Sequence, residues 1–168
     1  LRQHPEHVWI NMRIPQGAAK TVVRILLIDD HPLFRDGLKF LLAGLADGLD
    51  FLEADSCESA LAHVAAADII LLDLKLPGVN GIEALRAIRE ASETVTVVVL
   101  SSEDDPRVIR RLIDAGAAGF IPKSSTQGLL IAALRLVLAG GSYLPPHVLN
   151  SPTTTTNPDT EAATGPLS

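Results

Sequence analysis

Cysteine, tryptophan, tyrosine and methionine each occur once in the 168 residues. A lone thiol, Cys57, excludes an internal disulfide framework and a cysteine-based zinc site, and it suits a reducing compartment. Basic charge is also short, with 14 Lys and Arg against 20 Asp and Glu and a formal net charge of -6. The electrostatic attraction that drives nonspecific binding to nucleic acid or anionic membrane is therefore missing from the chain as a whole. Apolar runs such as Val97-Val98-Val99-Leu100 fall far short of the ~20 residues that span a bilayer, and no cleavable signal peptide is visible. These absences predict a soluble, cytoplasmic protein with no membrane partner. What is present, 47% hydrophobic and 20% charged residues, suffices for one buried core.

Residues 1–21 mix prolines and histidines without an apolar period and are expected to form a flexible extension. Residues 145–168 are expected to be a linker or disordered tail, rich in Thr and Pro in its latter part. Between them, 22–144 alternate short β-branched apolar runs with longer amphipathic ones, as βα units around a parallel sheet do. The pattern predicts strands at 22–28, 51–55, 69–72, 95–100 and 119–121, and helices at 33–43, 57–66, 81–91, 106–115 and 126–139. Punctuation agrees: Asn80 with Glu83 forms a capping pair, Asp105 precedes Pro106, and Gly116 and Gly140 stand where helices end. The fold class is α/β, a doubly wound five-stranded parallel sheet with five helices.

In such a sheet, polar groups at the carboxyl ends of strands converge on one crevice. Asp29 and Asp30 directly follow the first apolar run, and Asp73 directly follows the third. Grouped carboxylates repel one another until one is protonated or a cation binds. Oxygen ligands favour a hard cation, and Mg2+ in particular, because it keeps waters and completes its shell with phosphate oxygens. Ser101 and Lys123 follow the fourth and fifth runs; they offer a hydroxyl and a point charge for a phosphoryl group in the same crevice.

Asp29-Asp30, Asp73 with Pro77 and Gly81, Ser101, and Phe120 with Lys123 occur in the order and on the strands that mark response-regulator receiver domains. The stretch from about Arg24 to Tyr143 resembles that family. The resemblance implies a flavodoxin-like (βα)5 fold and a two-component partnership with a histidine kinase. It makes Asp73 the phosphoacceptor, with Asp30 and Asp73 as direct Mg2+ ligands, Asp29 acting through water and the backbone carbonyl of Lys75 completing the site. It further implies that Lys123 contacts the phosphoryl oxygens and that Ser101 and Phe120 form a coupled switch, the ring turning inward as the hydroxyl moves. The segment Gly140 to Pro146 resembles the exit of NarL/LuxR-type transcriptional regulators, whose helix-turn-helix domain binds DNA. Here that domain is expected to be absent from the chain. Ser124 after Lys123 departs from the proline found in many receivers.

Other readings are weaker. An aspartate-nucleophile phosphatase expects a second aspartate two residues on, where Asp73 has Lys75 and Asp29 has His31. No G-x-G-x-x-G follows the first strand, which removes a dinucleotide site. A receiver-like interaction module without phosphorylation is opposed by retention of the acids, Ser101 and Lys123. The chain is thus expected to be a switch rather than an enzyme. His31 is expected to be a solvated loop residue and Lys75 a rim charge. The fifth helix is apolar over more of its circumference than one sheet contact needs, which predicts a homodimer through it, with the first helix as a second contributor.

Overall fold

The computed structural model describes residues 22–152; the expectations for 1–21 and 153–168 lie outside them. In chain order the elements are β1 (Val23–Ile28), α1 (Pro32–Leu42), β2 (Leu49–Ala54), α2 (Cys57–Leu61), a 3-10 turn (Val64–Ala66), β3 (Ile69–Asp73), β4 (Lys75–Leu76), β5 (Val79–Asn80), α3 (Gly81–Ala91), β6 (Thr96–Ser101), α4 (Pro106–Asp114), β7 (Gly119–Pro122), α5 (Gln127–Leu138) and α6 (Pro146–Leu149). The sheet order is β2-β1-β3-β6-β7, and every pairing within it is parallel. The chain leaves β1 for β2 on one side and returns to β3 on the other, so the order reverses between β1 and β3. Ligands bind beside such a reversal, outside the carboxyl ends of the strands.

Alternation along each strand feeds two cores. Leu26, Ile28, Ile70, Leu72, Val97, Val99 and Phe120 pack with Ala84, Leu85 and Ile88 of α3 and Ile109 and Leu112 of α4. Ile25, Leu27, Ile69, Leu71, Val98, Leu100 and Ile121 pack with Leu38 and Leu42 of α1 and with Leu130, Ala133, Leu134 and Val137 of α5. A strand buried on both faces needs apolar residues at every position, and β3 is buried throughout. Each such Leu or Ile contributes ~1.5–3 kcal/mol on burial. By the same two-residue period, Asp29, Asp73 and Lys123 extend the face shared with α1 and α5, whereas Ser101 extends the face shared with α3 and α4.

The expected helix caps form. Asn80 accepts a hydrogen bond from the Glu83 backbone N–H at 3.0 Å, and Asp105 accepts from the Arg107 backbone N–H at 2.9 Å. Thr126 accepts from the Leu129 backbone N–H at 3.3 Å, so it caps α5 from outside the helix. Three details differ from the sequence expectations. The second helix stops at Leu61 and resumes as the 3-10 turn Val64–Ala66. Between β3 and α3 a small antiparallel ladder pairs Lys75 with Asn80 and Leu76 with Val79, turned by Gly78 at φ 79°. The folded unit also runs past residue 144: α6 packs on α4, and Val148 is 2% exposed within the α3/α4 core. Pro146 occupies the first helical position, where its missing N–H costs nothing. Arg110 fastens this segment by donating to the carbonyls of Val148 and Ser151.

Candidate functional site

The strand ends bring together residues far apart in sequence. Ile28 pairs with Leu72, Asp73 with Leu100, and Ser101 with Pro122. The tips of β1, β3, β6 and β7 are therefore level, and the residues at or just beyond them share one crevice. Among the described residues, the buried polar or charged ones are Asp29, Asp73 and Ser101. Gly81 lets α3 begin close to this tip: a Cβ there would stand 2.0 Å from Leu74 Cδ1 and 3.0 Å from its carbonyl oxygen.

Lys123 Nζ lies 2.9 Å from Asp29 Oδ2, to which it donates, and 3.2 Å from Asp73 Oδ2, where it is close enough for an ion pair but out of line for a hydrogen bond. Asp73 Oδ1 accepts the Lys75 backbone N–H at 3.1 Å, and Asp29 Oδ1 accepts the His31 backbone N–H at 2.8 Å. Burial pushes the Asp29 carboxyl up, but hydrogen bonds from Lys123 and His31 outweigh it and hold the group below the ordinary carboxylate range. For Asp73 burial wins: with the neighbouring Asp29 charge it holds the carboxyl above that range despite the Lys75 N–H and Lys123. One carboxylate is thus firmly charged and the other is strained by its charge.

Asp29, Asp30, His31 and Asp73 each offer a ligand atom, all within 4.8 Å of one another. Asp30 Oδ1 and Asp73 Oδ2 are buried side-chain oxygens with no hydrogen-bond donor. Orphaned, buried anionic oxygens in one cluster are what a hard divalent cation relieves, so the residues present fit Mg2+. The Lys75 side chain is exposed, as expected, and its backbone supplies the polar contact.

Ser101 is 1% exposed, and its hydroxyl oxygen accepts the Glu103 backbone N–H at 3.0 Å. Phe120 is fully buried on the same side of the sheet, so the ring expected to turn inward already lies inside. Its backbone N–H donates to the Tyr143 carbonyl at 3.0 Å, which ties this ring's strand to the segment leaving α5.

Three residues make contacts at the site that were not expected from sequence. His31 is largely solvated as expected, with 66% of its side chain exposed, yet Nδ1 stands 2.9 Å from Asp29 Oδ1 and 3.0 Å from Asp30 Oδ1. Arg35 donates to the Asp29 backbone carbonyl and, at 3.0 Å, to Glu53. The Phe34 ring faces the Lys123 ammonium at 4.2 Å. Position in the first turn after the acidic pair is the one signal that could have marked Phe34 and Arg35.

The family model for the response regulator receiver domain matches residues 25–135. The chain is 37% identical over 131 residues to the glycerol metabolism activator of Pseudomonas putida, covering 76% of this chain and 59% of that protein. It is 38% identical over 131 residues to the response regulator GacA of Pseudomonas viridiflava, covering 76% and 60%. The chain therefore spans about three-fifths of the length of these curated relatives. Among solved structures, it resembles a LuxR-family two-component response regulator from Aurantimonas sp. SI85-9A1, with TM-score 0.70 and 31% identity over 76% of this chain and 93% of that one. With the sheet, the acidic crevice and these relatives in agreement, the chain belongs to the response-regulator receiver family and is a receiver domain of the LuxR/GacA type.

Proposed function

We propose that Asp73 accepts a phosphoryl group from a phosphohistidine on a partner histidine kinase. The observation that carries this is the placement of Lys123 beside two carboxylates 96% buried as side chains, next to a buried Asp30 oxygen that accepts no hydrogen bond. In the transfer, an Asp73 carboxylate oxygen bonds to phosphorus as the phosphorus–nitrogen bond breaks, and the departing imidazole takes up a proton. The reaction is nearly all positioning and electrostatics. Lys123 faces the incoming oxygens, and the Lys75 backbone N–H holds the other Asp73 oxygen in place. Mg2+ would be held by Asp30 and Asp73, with Asp29 through water and the Lys75 carbonyl, and it supplies neutralisation of phosphoryl charge.

The product adds roughly -1.5 to -2 charges by analogy with other phosphorylated side chains. An anion at Asp73 draws the Ser101 hydroxyl from the Glu103 N–H, and the loop before α4 and the ring of Phe120 resettle. Output in a longer protein is DNA binding, which the LuxR-type relatives support. The chain acts in the cytoplasm as a switch rather than as a turnover enzyme.

Dimer formation through α1 and α5 is the second part of the proposal. Leu33 and Phe40 on α1 are 86% and 78% exposed, and Leu129 and Leu136 on α5 are 39% and 46% exposed. The two helices touch, and exposed apolar side chains on both of them support a contact between copies of the domain.

The test is incubation with acetyl phosphate and Mg2+, followed by intact mass. A gain of about 80 Da, one phosphoryl group replacing a proton, is expected. Asp73→Asn and EDTA should each abolish it; an equal gain in Asp73→Asn contradicts the assignment.

A further inference from the structure

Resting on the assignment of Asp73 as acceptor, we propose that Phe34 is a positioning residue for the Lys123 ammonium. The ammonium is held on two sides. Asp29 and Asp73 face it at 2.9 and 3.2 Å, and the Phe34 ring faces it at 4.2 Å from the centroid. Lys123 is 19% exposed, so water competes only partly, and a cation over an aromatic face is favoured more as it is desolvated.

The ring is itself fixed. Phe34 lies in the first turn of α1 and packs against the core shared by α1 and α5. With Leu38, Leu100 and Leu130 it borders a small cavity of about 30 Å³ that Lys123 also lines.

The two kinds of contact respond differently to the reaction. A divalent ion in the cluster, or a phosphoryl group on Asp73, changes the charge that the ammonium meets on the carboxylate side. The ring contact depends on neither. Lysine is a flexible point charge with many rotamers. The ring removes part of that freedom, so the ammonium stays facing the acceptor when Asp29 no longer commands it.

The experiment compares the whole chain with Phe34→Leu, Phe34→Met and Phe34→Tyr. For each, the rate of Asp73 phosphorylation is measured against acetyl phosphate concentration at saturating Mg2+, which separates the maximal rate from the half-saturating concentration. Beryllofluoride affinity is measured in parallel, below the unfolding temperature of every variant. Leu and Met retain bulk and hydrophobicity but not the ring face; they should lower the maximal rate and weaken beryllofluoride binding about three- to tenfold. Tyr should stay within about twofold of the parent. Leu and Met both matching the parent, or Tyr as impaired as Leu, overturns the proposal. A parent chain that takes no phosphoryl group sinks the acceptor assignment and this inference with it; a phosphorylated parent with indifferent Phe34 variants sinks the inference alone.

Discussion

Lys123→Met isolates the electrostatic role of the ammonium because methionine keeps much of the stem and loses the charge. In the parent, Nζ sits 2.9 Å from Asp29 and 3.2 Å from Asp73, whose side chains are each 4% exposed. Removing one partner from a buried ion pair costs ~3–5 kcal/mol, because the charges left behind are neither solvated nor matched. Asp30 is 30% exposed and admits water, which places the expected loss near the lower end, about 3 kcal/mol. For a chain of this size each kcal/mol moves the melting temperature by ~2–4 °C, so the metal-free variant should melt about 6–12 °C below the parent. Mg2+ then acts in opposition. At a hundredfold excess over Kd it stabilises by about 2.7 kcal/mol, and it binds the variant more tightly because no ammonium competes for the carboxylates. Thermal melts across a series from EDTA to saturating Mg2+ should show the gap between variant and parent closing. Equal melting temperatures in EDTA, or a gap that Mg2+ leaves unchanged, would refute the reasoning.

Asp73→Asn should raise the melting temperature of the metal-free protein at pH 7. Burial and the Asp29 charge hold the Asp73 carboxyl above its ordinary range, so its ionisation costs the folded state more than the unfolded one. That cost vanishes below the unfolded pKa of ~3.9, where both states are protonated, so the gain from Asn should fade in melts as the pH falls to about 4. Gly81→Ala forces a Cβ to within 2.0 Å of Leu74 Cδ1; urea unfolding should show a loss of about 1–3 kcal/mol, since the chain just after Asp73 must shift. Phe40→Glu removes a 78% exposed ring from the α1 surface; light scattering after gel filtration with beryllofluoride should find the parent dimeric and the variant monomeric.

The strand ends were legible because four apolar runs each break directly into a chemistry-bearing residue: Asp29, Asp73, Ser101 and, one proline later, Lys123. Strands buried on both faces permit that abrupt change only where the sheet ends, so residue order alone located the crevice. Continuous apolar character could not say which face each group occupies. The split between the Asp29, Asp73 and Lys123 side and the Ser101 and Phe120 side needed the register. Residues from 145 onward were expected to be linker on composition, whereas Pro146 starts a helix and Val148 completes the α4 side of the core. The Phe34 contact was invisible for a different reason. An aromatic residue four positions after Asp30 looks like ordinary core, and only the arrival of β7 beside β6 brings Lys123 over its ring.

Chemical capture of the phosphorylated residue tests the central claim most directly. Acyl phosphates are reduced by borohydride to the alcohol, so treating the phosphorylated chain should convert one aspartate to homoserine, which peptide mass mapping can locate. Conversion at Asp73, dependent on Mg2+ and on Lys123, is the predicted result. Homoserine at Asp29 or Asp30, or phosphate retained on His31, would contradict it.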